Sequence, residues 1–216
     1  MAALVWALLS CAISGAAGIS RSCARSGAAS IGIPIIPEPH QHSDYSALEI
    51  VSDPDTYEAY VYTPPSDAAG PEKLPLIVYL HAASQQGGSL SNTLNRAATG
   101  TPLYEVWSKR APEELGRHFI VAGPHSMGAW DSGKLLNFLD FLLSPKAGLS
   151  VDKTRLYIMG WAEGGDMALE VARMTPRRFG AVVAASAHAP PEAKPYHGMP
   201  LWAFHGKNDV MVNYTG

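Results

Sequence analysis

Cysteine is nearly missing from this 216-residue chain: there are two, Cys11 and Cys23. A framework of several disulfides is therefore excluded as the source of its stability. Excess positive charge is missing too. Sixteen Lys and Arg stand against nineteen Asp and Glu, a formal charge of −3 with no basic run, so nucleic acid is not an expected partner. No apolar run approaches the ~20 residues of a bilayer-crossing helix, so no stable membrane span is expected. No His pair has metal-ligand spacing with carboxylates or thiols, and no G-x-G-x-x-G or G-x-x-x-x-G-K-[ST] motif opens a helix. No metal and no nucleotide cofactor is expected.

What is present is apolar and rich in turn formers: 47% hydrophobic residues, 20 Gly and 17 Pro. At ~150 residues per domain, that suits one α/β domain. The N-terminus differs in kind. Residues 2–13 form an apolar block followed by Ser14-Gly15-Ala16-Ala17-Gly18, the layout of a secretory signal with a small-residue cleavage site. The positive n-region is missing apart from the amino terminus, and a signal anchor or an ordinary N-terminal segment are the other readings of this block. The expected organisation is a signal peptide over 1–17, an irregular leader over 18–46 rich in Ser, Gly, Pro and His, and a partial α/β domain over 47–216. The expected localisation is secreted or within the secretory pathway. Cleavage near Ala17 would leave Cys23 without a partner for an internal disulfide.

Nearly continuous apolar runs over 76–81, 119–122, 155–159, 181–186 and 201–204 read as strands buried on both faces of a parallel sheet. The run 57–62 alternates and ends at Pro64-Pro65, which reads as an edge strand. Leu135, Leu136, Leu139, Leu142 and Leu143 recur at helical spacing, widened by Phe138 and Phe141. Met167, Leu169, Val171 and Met174 do the same. Alternating strand and helix patterns imply βαβ units with right-handed crossovers.

Between the run at 155–159 and the second helix lies Gly160-Trp161-Ala162-Glu163-Gly164-Gly165. This strand–turn–helix context is that of a G-x-S-x-G nucleophile elbow, where glycines allow a sharp turn and close strand–helix packing. Ala162 stands where the serine would be, and a methyl group cannot attack a carbonyl.

Together with three other segments, this motif resembles the α/β-hydrolase superfamily, in particular its phospholipase/carboxylesterase-like branch of secreted esterases and predicted peptidases. The other segments are Leu74–His81 leading to the oxyanion loop, Val151–Tyr157 before the elbow, and Pro200–Asp209, which matches the strand and turn presenting the triad acid. The resemblance runs from about Tyr57 to Tyr214. It implies the α/β-hydrolase fold, a mostly parallel, doubly wound sheet, with the last strand and helix missing from a C-terminally truncated copy. It implies ester hydrolysis through a Ser-Asp-His triad in relatives acting on small-molecule or polymer esters, with chain order nucleophile, acid, histidine.

Carried onto this chain, Ala162 occupies the nucleophile position and Asp209 that of the acid. No histidine follows Asp209 before Gly216, so the triad His is absent. The oxyanion and binding positions are His81, Ala82, Ala83 and Glu163. Ala82 replaces a glycine of the family's His-Gly-x-Gly, costly wherever the backbone needs positive φ, and the Glu163 backbone N–H remains as a donor. Ser126-Met127-Gly128 imitates an elbow with Pro124 in place of the first glycine, and is read as a loop. Glu163 reads as a solvated or rim carboxylate, and His81 and His205 as local structure at strand ends. His188 precedes Asp209, the wrong order for the triad base.

Three functions compete: an incomplete, inactive copy of a serine carboxylester hydrolase; a non-catalytic ligand-binding pseudoenzyme; and a fragment without function of its own. Self-association through an uncovered sheet edge at Leu201–Phe204 is also expected.

Overall fold

The structure, a computed structural model, describes residues 48–65, 73–95, 98–190, 192 and 194–212. The expected signal peptide and leader, with Cys11 and Cys23, lie outside the described residues.

Seven strands form one sheet: β1 (Leu48–Val51), β2 (Ala59–Tyr62), β3 (Leu74–Leu80), β4 (Ile120–Pro124), β5 (Val151–Trp161), β6 (Ala181–Ala185) and β7 (Leu201–Phe204). Their spatial order is β1-β2-β4-β3-β5-β6-β7. β1–β2 and β2–β4 are antiparallel, and all later neighbours are parallel. This is the mostly parallel α/β-hydrolase sheet. Among the described residues, four α-helices accompany it: α1 (Pro102–Trp107), α2 (Glu113–His118), α3 (Ser132–Leu142) and α4 (Glu163–Met174).

The near-continuous apolar runs have a direct structural cause. In β3, Leu76, Val78 and Leu80 face a core shared with Leu135, Phe138, Leu139 and Leu142 of α3 and Ala168, Val171 and Ala172 of α4. Ile77 and Tyr79, pointing the other way, join Leu103 and Val106 of α1 and Leu115 of α2. Alternate residues of a strand face opposite sides, so a strand covered on both sides must be apolar throughout. The sheet is doubly wound.

Two sequence expectations need correction. The run 57–62 is not an edge: β2 lies between β1 and β4, registered Leu48↔Tyr62 and Ala59↔Pro124. The short strand β1, two of whose four residues are exposed, carries too little apolar alternation to announce itself, and it takes the edge. In α4 the buried face is Gly164, Gly165, Ala168, Leu169, Val171 and Ala172, while Met174 is exposed. Met167 packs partly buried against the core as expected, and the small residues of the face let this helix approach the sheet.

Candidate functional site

β5 passes through Gly160 and Trp161 and gives way at Ala162 to α4. Ala162 has φ +51° and ψ −119°, a region that L residues rarely enter and that persists only where surroundings over-determine it. The determinants are visible. The Ala162 N–H donates to the Ala185 carbonyl at the end of β6 (2.8 Å), and the Ala162 carbonyl accepts from the Asp166 N–H (3.0 Å). A Cβ on Gly160 would fall 2.5 Å from the Gly165 amide nitrogen, and one on Gly165 would fall 2.9 Å from the Ala187 Cβ. The glycines permit the approach, and the approach holds the strained turn.

The β3–α1 connection starts beside this turn. His81 is buried and satisfied on both ring nitrogens: Nδ1–H donates to the Ala82 carbonyl (2.9 Å), and Nε2 accepts from the Ser126 N–H (3.0 Å). Burial pushes its pKa down to about 4, so the ring is neutral at ordinary pH. Trp130 packs against it at a tilt, with centroids 4.7 Å apart and ring planes at 48°, and donates its Nε1–H to the His81 carbonyl (3.1 Å). Ala82 has φ −78° and ψ 168°. That is extended backbone open to any residue, so the replacement of glycine carries none of the expected conformational cost. The Ala83 N–H points at the turn and donates to the Glu163 carboxylate Oε2 (2.9 Å).

A cavity of about 500 Å³ opens here, walled by Ala83, Trp130, Glu163, Asp166 and Glu170 among others. Asp166 is engaged at its rim: its two oxygens accept from the His188 N–H (2.7 Å) and from His188 Nδ1 (2.8 Å). That carboxylate, by hydrogen bond and then by charge, raises the pKa of the exposed His188.

Asp209 lies on the loop after β7. Its Oδ1 accepts from the Met211 and Val212 N–H groups (2.9 and 3.0 Å), and these backbone bonds hold its carboxyl below the usual range, with Ser186 a smaller contributor. Ser186 follows Ala185, the residue bonded to Ala162. The turn and Asp209 therefore share the carboxyl end of the sheet, on strands two apart, roughly 10 Å by strand spacing. The imidazole nearest Asp209 is His205, whose Nε2 is 3.6 Å from Oδ2 but bonds the Val212 carbonyl at 2.7 Å.

The structure thus brings Ala162, Ala83 and Glu163 together, with His81 and Ala82 behind them as scaffold and Asp209 across β6. Ser126 is buried, its Oγ donating to the Gly128 carbonyl (2.8 Å), and it is a structural loop residue. Three features escaped the sequence: Trp130 as a cavity wall, the Asp166–His188 pair, and the Ala83–Glu163 contact. Each joins residues distant in the chain. Only the helical spacing of Glu163, Asp166 and Glu170 hinted at a shared face.

Among solved structures, the chain is similar to a thermostable esterase, with a TM-score of 0.58, 22% identity, and coverage of 79% of this chain and 48% of that one. A fluorophosphonate-binding serine hydrolase F from Staphylococcus aureus gives a TM-score of 0.48 at 14% identity over 65% of this chain and 56% of that one. An S-formylglutathione hydrolase from the same organism gives 0.47 at 14% over the same shares. The chain therefore spans about half the length of the solved structures it matches. No curated protein matches it. Residues 104–214 match the model of the prolyl oligopeptidase family, a span that takes in the elbow, the cavity helix α4 and the Asp209 loop. By that match and by its sheet, the chain belongs to the prolyl oligopeptidase family of α/β-hydrolases.

Proposed function

We propose that this chain keeps the acyl-ligand cleft of an esterase-like α/β-hydrolase and does not use it for covalent turnover. The observation that carries this reading is Ala162 in the strained elbow conformation, φ +51°. The backbone device that presents a nucleophile is intact, and the side chain it presents has none. Covalent ester hydrolysis needs a nucleophile, a base and an orienting acid. At the nucleophile position stands Ala162, whose methyl group cannot attack a carbonyl, while Asp209 at the acid position carries a matching side chain. Small-molecule or polymer esters are the ligand class, and the protein acts as a binder or as an inactive copy.

The test is direct. The purified chain is expected to show neither a burst nor steady turnover of p-nitrophenyl acetate above a heat-killed control, and no serine labelled by a fluorophosphonate probe. Labelling at any serine with parallel loss of ester turnover would overturn the reading.

A second reading has the span as one part of a longer protein that supplies the missing imidazole. The 48% coverage of the thermostable esterase favours it. An in-frame strand and Gly-His segment beyond Gly216 in the transcript would establish it, and a stop codon there would remove it. Export through the secretory pathway is proposed on the apolar block at 2–13 and the small residues after it. Amino-terminal sequencing of the exported product, expected to begin near Gly18, tests this.

A further inference from the structure

Two features of this cleft would attract an acyl oxygen: the Ala83 N–H on the loop after β3, and the N-terminus of α4, whose first N–H groups have no partner within the helix. Such a pair is what a hydrolase aims at the developing oxyanion. In this chain the Ala83 N–H already donates, at 2.9 Å, to Oε2 of Glu163, and Glu163 is the first residue of the twelve-residue α4. The carboxylate meets the favourable end of the helix dipole and the loop amide together. A bond from an N–H to an ionised oxygen is roughly twice as strong as one to a neutral carbonyl.

We propose that Glu163 is the built-in occupant of the acyl-oxygen position, a carboxylate that bars acyl and anionic ligands from the Ala83 donor until it swings away. This rests on the reading of the cleft as an acyl-ligand site and adds a regulator to it. The side chain is solvent-exposed, so it is displaceable without opening the core. The geometry is a gate at the cavity mouth. It discriminates by charge: an anionic oxygen meets both an occupied donor and a like charge, whereas a neutral ester meets only the occupied donor.

The experiment is amide-resolved NMR on the full chain with butyrate as probe, comparing the protein as it is with Glu163→Gln, Glu163→Ala and Glu170→Gln. The glutamine retains an acceptor for Ala83 without charge, and the alanine frees the donor. Glu170→Gln removes a charge from the same cavity wall away from Ala83. The Ala83 amide resonance is expected to move on Glu163→Ala substitution alone, and to move further on titration. Butyrate affinity is expected to rise in the order unaltered chain, Glu163→Gln, Glu163→Ala. The last step should reach at least ~10-fold over the unaltered chain, equivalent to ~1.4 kcal/mol. Glu170→Gln should leave the Ala83 resonance in place.

Equal butyrate affinity in the unaltered chain and Glu163→Ala overturns the gate while leaving the cleft reading standing. Absence of binding in every variant, methyl butyrate included, overturns both. A Glu170→Gln chain that matches Glu163→Ala assigns the effect to bulk charge and also overturns the gate.

Discussion

Gly164, in the first turn of α4, packs so closely on the loop after β3 that a Cβ there would lie 2.6 Å from the His81 carbonyl oxygen. The contact ties the start of α4 to the loop after β3 through backbone alone, so no side chain can yield to relieve it. Gly164→Ala should gain ~1 kcal/mol of helix propensity and lose more to overpacking, typically ~1–3 kcal/mol and at times above that range. Net destabilisation is expected in urea unfolding. Gly128→Ala, where an added Cβ meets nothing within 4 Å, should change the midpoint little. Equal midpoints for the two variants would mean that the elbow is not packed as described.

Ala162 offers the converse experiment. Its φ of +51° with ψ of −119° costs a residue with a Cβ ~1–3 kcal/mol. Glycine adopts such angles freely and loses only ~0.5–1 kcal/mol in added chain entropy. Ala162→Gly is therefore expected to stabilise the fold by about 1 kcal/mol, read as a raised midpoint with an unchanged denaturant slope. Ala162→Ser keeps the strain and should show no such gain. It should also show no steady ester turnover, since His81 has both ring nitrogens engaged and His205 donates Nε2–H to Val212. A destabilised Ala162→Gly would refute the strain.

The elbow was legible in the chain because its chemistry is local: two glycines at fixed spacing, after a β-branched run and before a helical one. The strands at 76–81, 181–186 and 201–204 were legible to within about two residues, because a sheet covered on both sides leaves an unbroken apolar signature. Strand β1 was not, since its pairing with β2 is decided by a partner rather than by its own residues. The helices α1 and α2 are six residues each, too short to show a helical period. Glu163 is exposed and lines the cavity. Its bond to Ala83, 80 positions away, depends on how β3 and β5 align, which no spacing encodes.

The buried His81 sets a pH dependence whose sign is fixed. Its pKa falls from 6.5 to about 4 on folding, so between those values the unfolded chain takes up a proton that the folded chain refuses. Stability must then decline as pH drops through this window, by up to ~1.4 kcal/mol per pH unit. His188 acts in the opposite sense. Its pKa is raised by Asp166, so its contribution is present below pH 6.5 and lost as pH rises through its folded value. It is exposed, and surface pairs are worth little. Unfolding free energies at pH 7, 6 and 5 should fall in that order, and ring NMR should keep His81 neutral, with the proton on Nδ1, down to about pH 4. A midpoint near 6.5 for His81 would refute its burial.

The edge strand β7 leads to the last expectation. Among the described residues it pairs with β6 on one side and with no strand on the other. Trp202 is 37% exposed, and Val210 and Met211, just beyond, are 93% and 86% exposed. Unpaired strand groups beside apolar side chains are a template for another chain. Fully burying a fully exposed large apolar side chain is worth about 1.5–3 kcal/mol, a limit that Val210 and Met211 approach and the partly covered Trp202 does not, against a whole-domain margin of about 5–15 kcal/mol. Burying this edge between two copies is thus a sizeable gain for each. The 216-residue chain is expected to self-associate with rising concentration in light scattering. Ala203→Lys, at an exposed position of β7, should suppress this without lowering the melting temperature, because the added charge meets solvent in the monomer and desolvation in the pair. A monodisperse monomer across concentrations, with a sharp and reversible melt, would show that the edge is not a docking strand.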